Sequence, residues 1–297
     1  MKDNTVAAQA QTQSQVTATP RRRKRSPWGT IVTLLILGIG AVLMIAPFLW
    51  IISAAFGKTT ETFVYPPRWL PQSVSLKNFE DVFNQVPYGL FMFNSLKLAI
   101  IVTLGQLVTC SLAAYAFARL QFPGRNVLFL LLLASLMIPG QITIVPLFIL
   151  VRNLGLYNTH IALILPALIS PFGVFLLRQY FITLPVELED AARVDGASIF
   201  TIYWRIILPL SGPVLTTLAI LTFVGMWNSY FFPLIMINSP ELQVITVGLT
   251  LLRGQYGTGA LGPIAAALTM AIVPVLIVFL LLQKYIIKSI VSTGLKT

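Results

Sequence analysis

Residues 26–57 read SPWGTIVTLLILGIGAVLMIAPFLWIISAAFG and contain no charged side chain. An apolar run of about 18 residues or more is long enough to cross a bilayer as a helix. Five further stretches of that length also lack Asp, Glu, Lys and Arg: 98–118, 126–151, 153–177, 206–240 and 254–283. Only 10% of the 297 residues are charged, against about 25% in soluble domains, so a water-exposed surface could not be covered. The sequence therefore predicts an all-α polytopic membrane protein with six transmembrane helices.

The basic residues predict the orientation of these helices. The run Arg21–Arg25 directly precedes the first apolar stretch, and a cytoplasmic N-terminus places 14 of the 20 Lys and Arg on the cytoplasmic side. We expect a multi-pass protein of the bacterial inner membrane with both termini in the cytoplasm. We attribute the net charge of +11 to membrane orientation and not to nucleic-acid binding, because the tail lacks the interleaved aromatic and basic residues of a nucleic-acid surface. The first stretch is too long for a signal peptide and precedes no small-residue cleavage site, so we expect a retained helix.

We divide the chain into four parts. Residues 1–27 are predicted to be a disordered basic tail, 28–88 the first transmembrane helix with an external segment, 89–287 a core of five transmembrane helices, and 288–297 a cytoplasmic tail. The six helices are predicted at 28–56, 91–118, 126–151, 161–181, 214–237 and 263–286, with an external loop over 238–262. Because no internal repeat is visible, we expect a second chain to complete any symmetric pathway.

A polar loop, residues 184–212, interrupts this apolar pattern between the fourth and fifth helices. Four of the nine acidic residues of the chain lie between Glu187 and Asp195. Acids near a helix start and a glycine at its end predict a short helix that stops at Gly196, and Ser198 suits the N-cap of a second helix. Small alanines would let another protein approach the first helix closely, with the acidic groups pairing with basic residues on it. The alternative, a helix lying on lipid, is disfavoured because anionic headgroups would repel the acidic cluster.

The same loop resembles the hallmark loop of ABC-importer permeases. That family has Glu-Ala-Ala, three residues, Gly, nine residues, then Ile-x-Leu-Pro. This chain has Asp190-Ala191-Ala192, then Gly196, then Ile206-Ile207-Leu208-Pro209, with both spacings kept, and Asp195-Gly196-Ala197 also fits. The departure is Asp190 where the family usually has Glu, which keeps the charge on a side chain one methylene shorter.

The resemblance extends over nearly the whole chain and is greatest to carbohydrate-importer permeases of the maltose-transporter type, specifically the smaller six-span subunit. The stretches that carry it are Ala113–Arg119, Phe122-Pro123-Gly124, Ile138-Pro139, Gly254–Gly257 and Leu281–Tyr285. The resemblance implies a permease that forms half of the pathway for a mono- or oligosaccharide. Its implied partners are a second permease, expected to be a different chain, two ATPase subunits and an external solute-binding protein.

The resemblance also implies that the polar loop is a coupling helix between transmembrane helices 4 and 5, seated on an ATPase. The expected coupling residues are Glu187, Glu189, Asp190, Ala191, Ala192, Asp195, Gly196 and Ala197. We expect the chain itself to be no enzyme, since ATP hydrolysis would belong to the partner ATPase. Gly57-Lys58-Thr59 does not make a phosphate-binding loop, because the required earlier glycine position holds Ile52.

Other functions are less well supported by the residues. Cys110 and His160 are each the only residue of their type, so we expect no metal site and no cofactor. No paired acids for catalysis lie in the apolar stretches. An ion-coupled secondary transporter would need buried acids and often inverted repeats. A permease for a non-sugar solute is the nearer alternative.

For the substrate pathway we name Trp227, Asn228 and Tyr230, because sugars are bound by aromatic faces with nearby hydrogen-bonding groups. The alternative for the same residues is tight helix packing around an internally satisfied Asn.

Overall fold

The computed structural model describes residues 27–58, 69–256 and 261–294, and within these ranges the regular structure is helical. The helices are α1 (Pro27–Phe56), α2 (Lys77–Gln85), α3 (Tyr88–Arg119), α4 (Arg125–Ser135), α5 (Ile144–Asn153), α6 (Ile161–Ala167), α7 (Pro171–Ile182), α8 (Glu187–Val194), α9 (Ile199–Leu210), α10 (Gly212–Trp227), α11 (Phe231–Met236), α12 (Ile245–Tyr256) and α13 (Leu261–Gly294). A 3-10 turn at Pro240–Leu242 lies between α11 and α12, and α9 contains a π-helical turn at Tyr203–Ile207. The predicted all-α class is confirmed.

Two compact units divide the chain after Leu49. The described part of the first unit is the beginning of α1, where most apolar side chains are exposed, as is typical of a surface made for lipid or for another protein. In the second unit α3 is the central helix. It packs along α7 and α10, and α10 packs against α13.

The structure contains fewer uninterrupted membrane-spanning helices than the six predicted. Within the described ranges, four segments are long and apolar enough to span: Ile31–Phe56, Tyr88–Arg119, Ile161–Ile182 and Leu261–Lys284. The pair α9 and α10 meets at 78° and counts as a fifth if the two form one span. The count of six therefore stays a prediction.

The predicted third helix, residues 126–151, is two helices. α4 has 11 residues and α5 has 10, so each is about 15–17 Å long, roughly half of the bilayer core. The chain between them contains Pro139-Gly140, where proline removes a backbone donor and glycine favours a turn. The uninterrupted helix was predicted from the apolar run alone, and these two residues explain the interruption.

The predicted fourth helix is interrupted at residues 168–170, and α3 satisfies the freed backbone groups. Gln106 Nε2 donates to the carbonyl of Ala167 at 2.7 Å, and the Thr109 hydroxyl donates to that of Leu168. Ser170 then caps α7 by accepting from the Gly173 N–H at 3.1 Å. An interrupted helix is tolerated within a bilayer when side chains bond its exposed backbone groups in this way.

Two predicted segments after residue 212 differ from the structure. The fifth helix, predicted to reach 237, ends at Trp227 and resumes as α11 after residues 228–230. The segment 238–262, predicted as a loop, contains α12, whose Ile245, Val247 and Leu252 are buried. Gly248 lies within α12, at a position where only glycine fits: a Cβ there would come within 2.4 Å of the Phe91 ring. This glycine permits close packing of α12 against α3.

At the chain ends, residues 288–294 were predicted as a tail but continue α13. The basic tail up to residue 26, Gly257 and residues 295–297 lie outside the described ranges.

Candidate functional site

The polar loop 184–212 folds as a helix–turn–helix. α8 has Glu187, Glu189 and Asp190 in its first turn, where the helix dipole favours negative charge. It ends in a Schellman motif: the Gly196 N–H donates to Arg193 O at 3.0 Å and the Ala197 N–H to Ala192 O at 2.9 Å. Gly196 has φ +80°, a left-handed conformation that favours glycine. The predicted termination of this helix by Gly196 is confirmed.

The second helix of the loop, α9, begins as predicted. The Ser198 side chain accepts from the Thr201 N–H at 3.2 Å, which makes Ser198 the N-cap. Ile202, Tyr203 and Ile207 point inward and pack with residues of α3 and α7. α9 then turns by 78° into α10.

One face of α8 is open to the surroundings. Five of the predicted coupling residues lie on it and are exposed: Glu187, Asp190, Ala191, Asp195 and Gly196. Ala192 and Ala197 are half-buried and pack against the apolar cluster beneath the loop. Val194 belongs to the same surface and is 89% exposed. Nothing lies within 4 Å of an ideal Cβ at Gly196, so the surface is unobstructed there. The loop therefore presents carboxylates beside small side chains, as a close-fitting basic partner would require.

Glu189 points the other way, which corrects its prediction as a partner-facing acid. Its side chain is 1% exposed, and Oε1 lies 2.9 Å from Nε of Arg119, itself 7% exposed. The Tyr115 hydroxyl donates to Oε2 at 3.3 Å, and Arg193 Nη2 lies 3.5 Å from the same oxygen. A carboxylate buried this deeply is held by charge and hydrogen bonding within its own chain.

Arg119 and Tyr115 are residues of this site that the sequence did not reveal as such. Arg119 Nη2 also donates to the carbonyls of Phe181, at 2.7 Å, and Leu184, at 2.5 Å. The available signal was that Arg119 ends a stretch of 21 uncharged residues, 98–118, close to a predicted turn. Nothing local in the sequence pairs it with an acid 70 residues later.

A second connection joins α9 to α3. The hydroxyls of Ser111 and Tyr203 are 2.7 Å apart, and the rings of Tyr115 and Tyr203 are centred 5.4 Å apart. Both helices of the loop are therefore attached to the last two turns or so of α3.

The predicted pathway residues lie at the interruption between α10 and α11: Trp227 is the last residue of α10, and Asn228 and Tyr230 lie within the interruption. Trp227 is buried and stacks on Phe223 with ring centroids 6.1 Å apart, which matches the packing alternative. Asn228 is exposed, and Tyr230 packs edge-on against Phe231. A partly open cavity of about 180 Å³ adjoins this interruption, but its lining includes the neighbours Met226 and Ser229 and none of the three.

In the part of the chain that the structure describes, no group of three or more His, Cys, Asp or Glu side chains is close enough to hold a metal ion. Cys110 is buried against Ser170 at the interruption between α6 and α7.

Comparison with known proteins points to one family. Residues 106–292 match the model of the family described as binding-protein-dependent transport system inner membrane component. The chain is 38% identical to the arabinooligosaccharides transport system permease protein AraQ of Halalkalibacterium halodurans, over 93% of this chain and 99% of that protein. It is 31% identical to the sn-glycerol-3-phosphate transport system permease protein UgpE of Yersinia enterocolitica, over 86% and 93%.

A solved structure has the same fold. It is a chain of a bacterial ABC transporter involved in the import of the acidic polysaccharide alginate, with a TM-score of 0.77 and 24% identity. The similarity covers 90% of this chain and 99% of that one.

Proposed function

Since the chain belongs to the family of binding-protein-dependent transport system inner membrane components, we propose that it is the permease subunit of an ATP-driven ABC importer for a sugar. It would form half of the translocation pathway and take its energy from a separate ATPase. The observation that carries the coupling role is α8, a short acidic helix with one face exposed and the other bonded to α3.

The exposed face of α8 would insert into a groove of the ATPase. Asp190 and Asp195 supply negative charge for basic residues of that partner, and Ala191 and Gly196 allow its backbone to come close. With the predicted cytoplasmic N-terminus and four spans before the loop, this face would lie in the cytoplasm, where ATP is available. The reaction of ATP itself would take place in the partner.

The complex we propose contains a second permease, two ATPase subunits and an external solute-binding protein. Nucleotide and the loaded binding protein would each bind one conformation of the permease pair more tightly than the other. Only such a difference in affinity can shift a conformational equilibrium, so the two together would drive the pathway between inward-open and outward-open states.

A sugar is the proposed substrate because a similar protein, AraQ, is named for arabinooligosaccharides, and 38% identity extends over almost its whole length. UgpE is named for glycerol 3-phosphate, so a phosphorylated polyol is the non-sugar alternative. Trp227, Asn228 and Tyr230 stay proposed pathway residues, with Asn228 the most accessible of the three.

The test is to purify the complex from cells, reconstitute it in liposomes and measure ATP hydrolysis with its binding protein and a panel of sugars and polyol phosphates. We expect an ATPase to co-purify and one class of sugar to stimulate it, with the ligand-free binding protein as the control. Stimulation by glycerol 3-phosphate alone would move the substrate to the alternative. Uptake that survives ATP depletion but collapses with the proton gradient would overturn the proposal.

The docking role of α8 is tested by Gly196→Leu and Asp190→Lys. Leu at φ +80° is strained by about 1–2 kcal/mol and places a side chain on the open face, and Lys reverses the charge. We expect membrane insertion to be normal and ATPase recovery and uptake to fall. Gly225→Ala is the matched glycine control, because Gly225 is helical with open space around it. Normal ATPase recovery and normal uptake from both variants would exclude the role.

A further inference from the structure

The two faces of α8 differ in what holds their carboxylates. The outer acids, Glu187 and Asp190, are exposed, whereas the inner acid, Glu189, is buried against Arg119. Because its side chain is only 1% exposed, Glu189 could contact an ATPase only after leaving its buried site against Arg119. Glu189 therefore needs a role other than docking.

The guanidinium of Arg119 joins three elements at one point. It lies in the last turn of α3, pairs with Glu189 of α8, and donates to the carbonyls of Phe181 and Leu184, at and just after the end of α7. A positive charge at helix C-termini is favoured by their dipoles, so this position stabilises the guanidinium as well. A movement of α8 would therefore act on both α3 and α7 through the Arg119 side chain.

The pair is also fixed in direction. Glu189 Oε1 faces Arg119 while Oε2 accepts from the Tyr115 hydroxyl, one turn earlier on α3. Apolar contacts in the same cluster, such as those of Val174 and Ile202, stabilise without a preferred direction. A buried ion pair cannot separate without leaving an uncompensated charge.

We propose that Glu189 and Arg119 are positioning residues that make α8 and the end of α3 move as one body, so that a displacement of α8 reaches the membrane helices undiminished. The inference rests on the proposed function, since it takes α8 as the helix that an ATPase moves. In this proposal Glu189 transmits the movement of α8 to α3, and the outer face of α8 docks on the ATPase.

The test uses the reconstituted complex and compares solute transported per ATP hydrolysed. For Glu189→Gln, which has nearly the same shape but no charge, we expect normal recovery of the ATPase and a fall in this ratio of about fivefold or more, the lower end of typical coupling between sites. Arg119→Lys keeps the charge but lacks the forked donors, and we expect a smaller fall. Glu80→Gln makes the same change at an exposed acid of α2 and should leave the ratio unaltered.

Tyr115→Phe is the second variant should Glu189→Gln reduce the amount of folded chain. It removes only the hydroxyl that donates to Glu189, and we expect a smaller fall in the same ratio. A loss of protein with an unchanged ratio per ATP would mean that the pair is merely structural, and would overturn the proposal.

A distance measurement tests the joint movement directly. Because Cys110 is the only cysteine, spin labels can be placed at Leu188 of α8 and Leu112 of α3, both exposed and neither among the proposed docking residues, in a Cys110→Ala background. We expect the same distance with and without nucleotide in the wild-type pairing, and a nucleotide-dependent or broadened distance in Glu189→Gln. A distance that changes with nucleotide while the pair is intact would overturn the inference. Failure of any ATPase to bind the wild-type chain would instead overturn the proposed function.

Discussion

Helix α3 holds a loop at each of its ends, by different chemistry. At the Arg119 end a buried ion pair holds α8. At the Asn94 end neutral groups hold the segment before α12: Asn94 Nδ2 donates to the carbonyls of Glu241, at 2.8 Å, and Gln243, at 3.0 Å, and the Ser95 hydroxyl accepts from Ile245 N–H at 2.8 Å. The two ends lie about 37 Å apart along the helix.

The difference concerns how each attachment fails. A neutral network loses one hydrogen bond at a time, and water can replace each near a membrane surface. A buried ion pair keeps its geometry until it breaks as a whole, since half of it is strongly unfavourable. The Arg119 end, which we assign to the cytoplasm and where the ATPase would act, is the end held by the ion pair.

The largest expected effect on stability is at the Arg119 end. Arg119→Met leaves the buried Glu189 charge with only the half-exposed Arg193 near it, which should lower the free energy of unfolding by about 3–5 kcal/mol. The measurement is thermal unfolding of the purified complex, in which the amount of soluble, assembled chain is recorded at each temperature. The double variant Arg119→Met with Glu189→Met should recover most of that loss, because no charge stays buried. Equal losses in the single and double variants would contradict the ion-pair account.

A smaller loss is expected at the Asn94 end. Asn94→Leu fills a similar volume but leaves two carbonyls without their donor, which should cost about 1–3 kcal/mol. Limited proteolysis between residues 237 and 245, together with thermal unfolding, would measure it. Asn126→Leu makes the same change at an exposed position of α4 and should have little effect. If Asn94→Leu were as damaging as Arg119→Met, the contrast between the two ends would be lost.

His160 makes the Asn94 end sensitive to acid. Burial lowers the pKa of His160 below its ordinary value of 6.5; a hydrogen bond with the Leu242 carbonyl opposes this and the charge of Lys97 adds to it. The folded chain therefore disfavours protonation, so its stability should fall as pH drops through 6.5 and should be constant above about pH 7.5. Unfolding temperatures between about pH 8 and pH 5.5 would record the fall, and His160→Gln should reduce it. A His160→Gln variant with the full wild-type dependence would assign it to another group.

The smallest effect is expected for Arg193→Gln, on the outer face of α8. Arg193 Nη1 donates to Asp190 Oδ1 at 3.1 Å, and Nη2 lies 3.5 Å from Glu189 Oε2. Because the Arg193 side chain is about half exposed, these contacts should contribute only about 0.2–1 kcal/mol. Thermal unfolding in low and high salt would show a small loss that salt erases. A loss comparable with that of Arg119→Met would mean that Arg193, rather than Arg119, balances Glu189.

The existence of α8 and its limits were predictable, but its orientation was not. Acids before alanines, a terminating Gly196 and a capping Ser198 are local signals, and all three are seen in the structure. Glu189 points away from Glu187 and Asp190 around the helix, and nothing local says which acid turns inward. That choice depends on Arg119, which belongs to another helix.

Helix interruptions and α12 show the same limit on a larger scale. Apolarity predicts that residues 126–151 enter a membrane, yet it does not weigh Pro139-Gly140 against the run around them. Glycines suggest a loop near Gly248 unless the approach of Phe91 is known. Local residues decided the first place, and a contact between distant segments decided the second.

The interruption between α6 and α7 has a consequence for the biosynthesis of the chain. The carbonyls of Ala167 and Leu168 have no partner within their own segment and depend on Gln106 and Thr109. Inserted alone, this segment would expose bare carbonyls to lipid. Because α3 is translated first, its polar face is already in the membrane when the segment emerges, and the direction of synthesis sets a workable order of assembly. A circular permutation that places α6 and α7 ahead of α3 would reverse this order. We expect such a chain to be degraded by membrane proteases before it assembles.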